Sequence, residues 1–480
     1  MKTIEGAPTQ AAIGDGWVDS GRTFDVRSPF SGKVLASVVD CGEKEARLAA
    51  DAAVASFGGW KRTTAYERSA VLRKWFELIM ARQDQLARLM ALEMGKPVAE
   101  ARGEVRYAAA FVELYAEEAK RVSGETFPSQ FANKRLFAIK QPVGPVYAVT
   151  PWNFPAAMVT RKAAPALAAG CTMIVKPAEQ SPLTAIALAA LWREAGGPPA
   201  ALQVLPCADP VPVSRILIDD DRIRKVTFTG STEVGIKLYG QVSHTVKRLS
   251  LELGGHAPFL VFEDADLDLA VREVVAAKYR NAGQTCVCAN RIYVHHRIAD
   301  QFVERLGAAA AALVVGDPLD EQVQIGPLVD RDVFGKVEAH VTDAVAKGAR
   351  LVTGGKALGG TLYAPTVLAG VGSGMRLMSE ETFGPVAPVR TFRDEAEAIG
   401  EANATQFGLA AYLWTNDLSR AVRVSESLDY GIIGVNDGVP SAPQAPFGGV
   451  KHSGLGREGG HWGIDEYLDV KYLSVRIQSS

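Results

Sequence analysis

From Val146 onward, short apolar runs alternate with helical stretches, and that alternation constrains the fold more than any other feature of the chain. VYAVT, a helix from about Ala156, TMIVKP, a helix after Ser181, LQVLP, a short helix, KVTFTG and another helix follow in order. Consecutive strands joined through helices lie parallel, so this stretch reads as an α/β parallel sheet covered by helices. The pattern resumes just after Ala257 with PFLVF and continues through RIYVHH, two long helices, LAAYLWT and GIIGVN, a second α/β unit. Ahead of both, helical periodicity holds from Lys44 to Trp60 and from Glu67 to Ala119. The second of these stretches reads as two or three amphipathic helices broken near Gly95-Lys96-Pro97. RLFAIKQPVGPV and YLDVKYLSVRI are strand-like and stand outside both alternations, which predicts a protruding sheet that seeks a partner.

A length of 480 residues exceeds what one core organises, and about 150 residues per domain suggests roughly three units. Hydrophobic residues at 48% and charged residues at 22% are the balance of a soluble globular enzyme. The net charge is −2 and no basic block occurs, which argues against nucleic acid as the main partner. The start, MKTIEGAPTQ, has no apolar core of a secretion signal. Apolar stretches such as Gly307 to Gly316 fall far short of the ~20 residues a membrane span needs, so no membrane is expected. Five cysteines (Cys41, Cys171, Cys207, Cys286, Cys288) make no disulfide framework in so long a chain, which points to a reducing, cytoplasmic compartment. The histidines are scattered without zinc-ligand spacing, so no metal is expected.

The first α/β region lacks GxGxxG, the usual dinucleotide fingerprint. In its place, Phe228-Thr229-Gly230-Ser231-Thr232-Glu233-Val234-Gly235 follows a strand and opens a helix. Free N–H groups at a helix start, Gly230 for close approach and the Ser231 hydroxyl suit a pyrophosphate; a plain helix cap uses the same residues. Lys176 and Glu179 close another strand of that sheet, where open α/β sheets place their ligands. They can bracket ribose hydroxyls or pair with each other. Two such sites on strand ends of one sheet shift the balance toward a nucleotide.

Asn281-Ala282-Gly283-Gln284-Thr285-Cys286 sets a cysteine among small and polar residues, after a helix ending near Arg280. A structural cysteine sits more often among Leu, Ile and Val, whereas a nucleophilic thiol needs a chain that lets substrate approach. Glu252, between leucines and followed by Gly254-Gly255, is either a desolvated base or the partner of a nearby cation. Asn153, in Thr150-Pro151-Trp152-Asn153-Phe154-Pro155 just past a strand, is either an oxyanion donor or a turn residue.

PWNFP, KPAEQSP, FTGSTEVG, ELGGHAP, NAGQTC, EETFGPV and PFGGVKHSGLGRE, in this order, resemble the aldehyde dehydrogenase superfamily over essentially the whole chain. The interval between Glu252 and Cys286 (286 − 252 = 34) is similar to that family's. The resemblance implies an aldehyde dehydrogenase-like α/β fold with a Rossmann-type cofactor domain, a second α/β catalytic domain and a small oligomerisation β-sheet. Residues 1–120 and 142–253 would bind NAD(P), with 455–468 packing back on them. Residues 254–454 would form the catalytic domain, and 121–141 with 469–480 the strands that assemble a homodimer or homotetramer. Cys286 would form a thiohemiacetal whose oxyanion is held by Asn153 and the Cys286 N–H, and Glu252 would activate water to cleave the thioester. Having a glutamate there favours hydrolysis over transfer to coenzyme A. Lys162 matches a lysine near the active site. Trp152, Lys176, Glu179, Gly230 and Ser231 would hold the adenosine and pyrophosphate half of the cofactor, and Glu381 and Phe383 the nicotinamide half. NAD is expected over NADP, since Glu179 would repel a 2′-phosphate.

Within the superfamily the chain is most similar to the succinate-semialdehyde dehydrogenases, through Thr160-Arg161-Lys162, RNAGQTCVC, EETFGPVAPV and GLGREG with GIDEYLDVKYL. Arg161, Arg280 and Ser441 would then grip the far carboxylate of a small aldehyde, guanidinium forks being suited to that group. Either arginine can instead serve a structural ion pair. Cys288 matches the second cysteine of a CVC motif whose pair can oxidise in some relatives; a packed cysteine is the alternative. His256 stands where many relatives have lysine, a spelling shared with 2-oxoglutarate-semialdehyde dehydrogenases. Glutarate and 2-oxoglutarate semialdehydes, or aldehydes in general, are the alternative substrates. From other classes, a cofactor-independent cysteine hydrolase leaves the nucleotide motifs unexplained, and an inactive binding protein leaves Cys286, Glu252 and Asn153 unexplained.

Overall fold

The computed structural model describes residues 8–478; the first seven residues, most of the start that lacks an apolar run, lie outside them, as do the last two. Ala11–Ile13 (β1) and Gly16–Val18 (β2) form a hairpin, and Thr23–Arg27 (β3) pairs antiparallel with Val34–Val39 (β4). Four helices follow: Glu43–Trp60 (α1), Ala65–Ala81 (α2), Gln83–Met94 (α3) and Val98–Glu118 (α4). Thr64 and Glu67 cap α2 reciprocally, Thr64 N donating to Glu67 Oε2 at 2.7 Å and Glu67 N to Thr64 Oγ1 at 3.2 Å. The break between α3 and α4 falls at Gly95-Lys96-Pro97 as the sequence predicts, with Gly95 left-handed at φ +85.

Glu125–Phe127 (β5) and Lys134–Pro142 (β6) precede the first alternation. That alternation runs Val146–Val149 (β7), Ala157–Ala169 (α5), Met173–Lys176 (β8), Pro182–Glu194 (α6), Leu202–Val204 (β9), Pro210–Asp219 (α7), Lys225–Thr229 (β10), Thr232–Val242 (α8) and Arg248–Glu252 (β11). The second runs Ala257–Val261 (β12), Leu267–Tyr279 (α9), Ala289–His295 (β13), Ala299–Ala311 (α10) and Arg331–Ala346 (α11). It continues through Arg350–Thr353 (β14), Ala357–Gly359 (β15), Leu362–Tyr363 (β16), Thr366–Ala369 (β17), Val386–Phe392 (β18), Glu395–Asn403 (α12) and Ala410–Trp414 (β19). Leu418–Ser427 (α13), Ile432–Val435 (β20), Gly454–Leu455 (β21), Gly460–Asp465 (α14) and Leu468–Arg476 (β22) complete the chain.

The first large sheet has the order β2-β1-β9-β8-β7-β10-β11-β21, parallel from β9 to β11. Its parallel strands β7, β8, β9 and β10 are covered on both faces, which is why they read as unbroken apolar runs. The second has the order β14-β17-β18-β13-β12-β19-β20, parallel but for β14. Each sheet has its own hydrophobic core, and Ile464, Tyr467 and Leu468 from the far end of the chain pack into the first. In the first sheet the chain steps from β7 through β8 to β9, then returns to β10 on the other side of β7. Helices on opposite faces diverge at such a reversal and leave a crevice at the carboxyl ends of the two strands. Thr150 to Asn153 and Gly230 to Ser231 stand at those two ends. The strand-like segments outside the alternations do meet: β22 pairs with β6 from Leu468↔Pro142 to Arg476↔Lys134, and β5 adds to β6. No helix among the described residues is long and apolar enough to cross a membrane.

Candidate active site

The cysteine loop is built under constraint. After α9, Asn281 (φ +52) and Ala282 (φ +54) are both left-handed without being glycine, a conformation that persists only when neighbours impose it. The neighbours are visible. Asn281 N donates to Glu100 Oε2 on α4 at 2.8 Å, and Asn281 Nδ2 to the Asn153 carbonyl at 3.1 Å. Asn153 Nδ2 donates to the Gln284 carbonyl at 3.0 Å, and Gln284 Oε1 accepts from Val329 N at 2.9 Å. Gly255 allows the loop its path, because a Cβ there would stand 2.2 Å from the Cys286 carbonyl oxygen. The loop thus locks the Asn153 turn to Cys286.

Two cavities meet at Cys286. One, of about 240 Å³, occupies the crevice between β7 and β10 and is lined by Trp152, Asn153, Gly230, Ser231, Glu381 and Phe383, among others. The Trp152 and Phe383 rings meet edge-on at 5.5 Å, and Phe383 is left-handed at φ +56. Ser231 caps α8, its hydroxyl accepting from Val234 N at 3.4 Å. Glu381 Oε1 accepts from Gly255 N at 3.1 Å. The second cavity, of about 310 Å³, is lined by Arg161, Arg280 and Ser441, with Tyr107, Phe154 and Phe447 on its walls. Cys286 and Met158 line both.

Buried polar atoms without a partner among the described residues include Asn153 Oδ1 and Thr229 Oγ1 of the first cavity, Thr285 Oγ1 of the second, Asn281 Oδ1 of the cysteine loop, and Glu252 Oε2, although Glu252 lines neither cavity. Buried polar groups are almost always bonded, so such a cluster marks where a ligand completes the bonding. An unpartnered hydroxyl and a helix start at a strand reversal suit a dinucleotide, and the residues present fit one.

Two carboxyl groups divide the electrostatics. Glu458 pairs with both Arg161 and Lys162; burial works against its charge, but these cations outweigh it and hold the carboxyl below its usual value. Glu252 has no such partner. Burial first, and then the Glu458 charge, push it well above the usual carboxylate range. Divergent environments of this kind separate a permanent anion from a proton acceptor. Burial also pushes the Cys286 thiol up to about 12, with Arg161 opposing the shift.

The structure assembles Cys286, Asn153, Trp152, Gly230, Ser231, Glu381, Phe383, Arg161, Arg280 and Ser441 around the paired cavities. Others stand apart. Lys162 is fully buried, bound to Glu458 and 3.3 Å from Thr227 Oγ1. Lys176 at the end of β8 pairs with Glu179 at 3.3 Å, and neither lines the cavities. Arg161 spends its charge on Glu458 and lies 4.2 Å from the Phe447 ring centre, whereas Arg280 has no carboxylate within ion-pair distance among the described residues. Cys288 is buried, its Sγ 3.4 Å from the Lys278 carbonyl and 3.3 Å from Lys278 Nζ, and both it and Cys286 are free thiols. His256 is buried beside the Phe407 ring. Sequence reading passed over Glu458, Glu100 and Tyr107. Glu458 sits inside the quoted GLGRE motif without a role assigned to it, while Glu100 and Tyr107 are ordinary helical residues with no local mark.

The aldehyde dehydrogenase family matches residues 17–473. An NADP(+) succinate-semialdehyde dehydrogenase of Escherichia coli (strain K12) is 53% identical over 98% of each chain. A glutarate-semialdehyde dehydrogenase of Pseudomonas putida is 51% identical, also over 98% of both. A crystal structure of succinate-semialdehyde dehydrogenase from Burkholderia pseudomallei superposes with a TM-score of 0.96 at 51% identity, covering 98% of each chain. Sequence and superposition agree over nearly the whole length: the protein belongs to the aldehyde dehydrogenase family of NAD(P)-dependent oxidoreductases.

Proposed function

We propose that the protein oxidises a small aldehyde with a distal carboxylate, foremost succinate semialdehyde, to the dicarboxylic acid. The observation that carries this reading is the second cavity: the Cys286 thiol and the Arg280 guanidinium both line it, and Arg280 has no carboxylate within ion-pair distance among the described residues, although Glu100 and Glu104 share the lining. Arg280 takes the far carboxylate, Ser441 donates to it, and Arg161 adds positive potential while held by Glu458. The Cys286 sulfur attacks the aldehyde carbon, and the new oxyanion lies against the Asn153 amide and the Cys286 N–H. The cofactor, when bound, supplies the acceptor for the hydride that converts the thiohemiacetal to a thioester. Glu252, with a raised affinity for protons and an open oxygen, takes one from water as that water cleaves the thioester. Lys162, through Glu458, shapes the field at Glu252 and touches no reacting atom.

Trp152, Gly230, Ser231, Glu381 and Phe383 would hold the dinucleotide, with Lys176 and Glu179 at its adenosine end. NAD is proposed over NADP because the Glu179 carboxylate opposes a 2′-phosphate, an opposition that Lys176 reduces. The E. coli relative is named for NADP(+), so the two dinucleotides are the direct comparison to make. We also assign the protein to the cytoplasm, and assembly through the β22-β6-β5 sheet to a dimer or a dimer of dimers.

An aldehyde panel followed by NADH or NADPH absorbance tests the reading. Succinate semialdehyde should exceed butanal, its neutral counterpart, and NAD⁺ should exceed NADP⁺ in kcat/KM. Equal rates on both aldehydes would make the enzyme a general aldehyde dehydrogenase. Faster turnover of glutarate or 2-oxoglutarate semialdehyde would move the assignment to the longer acid.

A further inference from the structure

Behind the cofactor-facing turn stands a buried histidine that the reaction does not use. His340 on α11 is fully buried and engages that turn through both ring nitrogens. Nδ1 lies 3.1 Å from Thr382 Oγ1, and Nε2 lies 3.1 Å from Glu380 Oε2. Arg376 completes the frame, donating to the two Glu380 oxygens at 3.0 Å each. Thr382 and Glu380 flank Glu381, whose side chain turns to the first cavity and accepts from Gly255 N. The next residue, Phe383, lines the same cavity in its left-handed conformation, and Gly384 lies so close to α11 that a Cβ there would stand 2.3 Å from Val337 Cγ2.

The partners settle the tautomer. A carboxylate only accepts, so Nε2 carries the proton and donates to Glu380, while Nδ1 accepts from the Thr382 hydroxyl. A neutral imidazole is suited to this, with one donor and one acceptor on separate edges of a rigid ring. Burial, which pulls the His340 pKa down, agrees with that neutral state. A left-handed phenylalanine persists only if its surroundings over-determine it, and His340 supplies two constraints on the residues just before it, from a helix whose Val333 and Lys336 also line the first cavity.

We propose that His340 is a positioning residue for dinucleotide binding: its two hydrogen bonds fix the 380–383 turn so that Glu381 and Phe383 face the cofactor. The proposal rests on the reading of Glu381 and Phe383 as cofactor-holding residues. The test uses the full-length enzyme, NADH titration by fluorescence, and steady-state kinetics with succinate semialdehyde. His340→Leu should weaken NADH binding and raise KM for NAD⁺ by about tenfold or more, the scale of two lost hydrogen bonds. Aldehyde KM, and kcat at saturating NAD⁺, should stay within about twofold. His340→Gln, which keeps a donor for Glu380, should recover part of the loss. Glu380→Leu, which removes the acceptor for Nε2–H, should act in the same direction, and its effect should not add to that of His340→Leu, as for groups in one network. Unchanged NADH affinity in a folded His340→Leu enzyme overturns the proposal, as does a loss confined to kcat. If His340→Leu does not fold, Glu380→Leu and Thr382→Val decide, and unchanged affinity in both overturns it. Wild-type enzyme that binds no NADH would instead remove the cofactor reading beneath it, a separate result.

Discussion

If Glu381 holds the cofactor as proposed, its buried carboxyl ties affinity to pH. Burial raises its pKa to about 7, against the Gly255 N–H and the more distant Lys336 and Lys278, which favour the anion. Near pH 6 the carboxyl is then mostly protonated and near pH 8 mostly ionised, and only the anion offers both oxygens to ribose hydroxyls. KM for NAD⁺ should therefore fall as pH rises across this range, and Glu381→Gln should flatten the profile; a profile that stays steep in that variant would place the titration elsewhere. At Glu252 the expected outcome is a split between steps. Glu252→Gln should release one burst of NADH per site and then stall, because the thioester has lost its base. An unchanged steady-state rate would remove Glu252 from that role. Arg280→Ala should cost about 10- to 150-fold in kcat/KM for succinate semialdehyde, the worth of one charge-assisted hydrogen bond, while sparing butanal. Glu252 could be singled out from the leucines and glycines around it, whereas Glu381 and Arg280 were assigned through the resemblance to the family. Glu458 was not: it lies 296 positions from Lys162 in sequence, and nothing near it announces the two cations it serves.

Among elements, the long helices and buried parallel strands were readable from periodicity, whereas the crevice between β7 and β10 follows from a sheet order that periodicity does not give. Short pieces were not. β1 and β2 have three residues each, too few to display alternation, and β1 becomes a strand by pairing Ala12 with Val204 across the sheet. β17 and β18 were passed over because Thr366–Ala369 is brief and Pro388 interrupts the apolar run of Val386–Phe392. The tight element junctions make their own prediction. Gly255 separates β11 from β12 and passes directly under the Cys286 carbonyl, so a methyl group there must displace the thiol loop. Gly255→Ala should lower kcat/KM by about 100-fold, since a misplacement of an ångström at a reacting atom has that scale. Retained activity in the alanine variant would show that the loop yields without moving the sulfur.

At the scale of the whole molecule, the third sheet is the feature a monomer leaves unexplained. β22 is a nine-residue strand at a sheet edge, and Val470, Tyr472, Leu473 and Val475 are 69, 59, 38 and 48% exposed on its two faces. A long edge strand with apolar side chains on both faces invites pairing, and soluble proteins blunt such edges unless a partner covers them. Neither bulge nor proline blunts this one: its register with β6 runs unbroken, and its charges are Asp469, Lys471 and Arg476 alone. A second copy of the chain meets the same need on both sides at once, as two-fold interfaces do. β22 follows in the chain the segment that carries Ser441, Phe447 and Glu458, so a link between assembly and the second cavity is a prediction that activity measurements test. Sedimentation should accordingly show a dimer or larger species, and Val470→Glu with Tyr472→Glu should shift it toward monomer. The same pair should lower activity at dilute enzyme while leaving the separate cores folded, seen as retained helical circular dichroism. A wild-type monomer at working concentration, or full activity in a monomeric variant, would detach the site from the assembly.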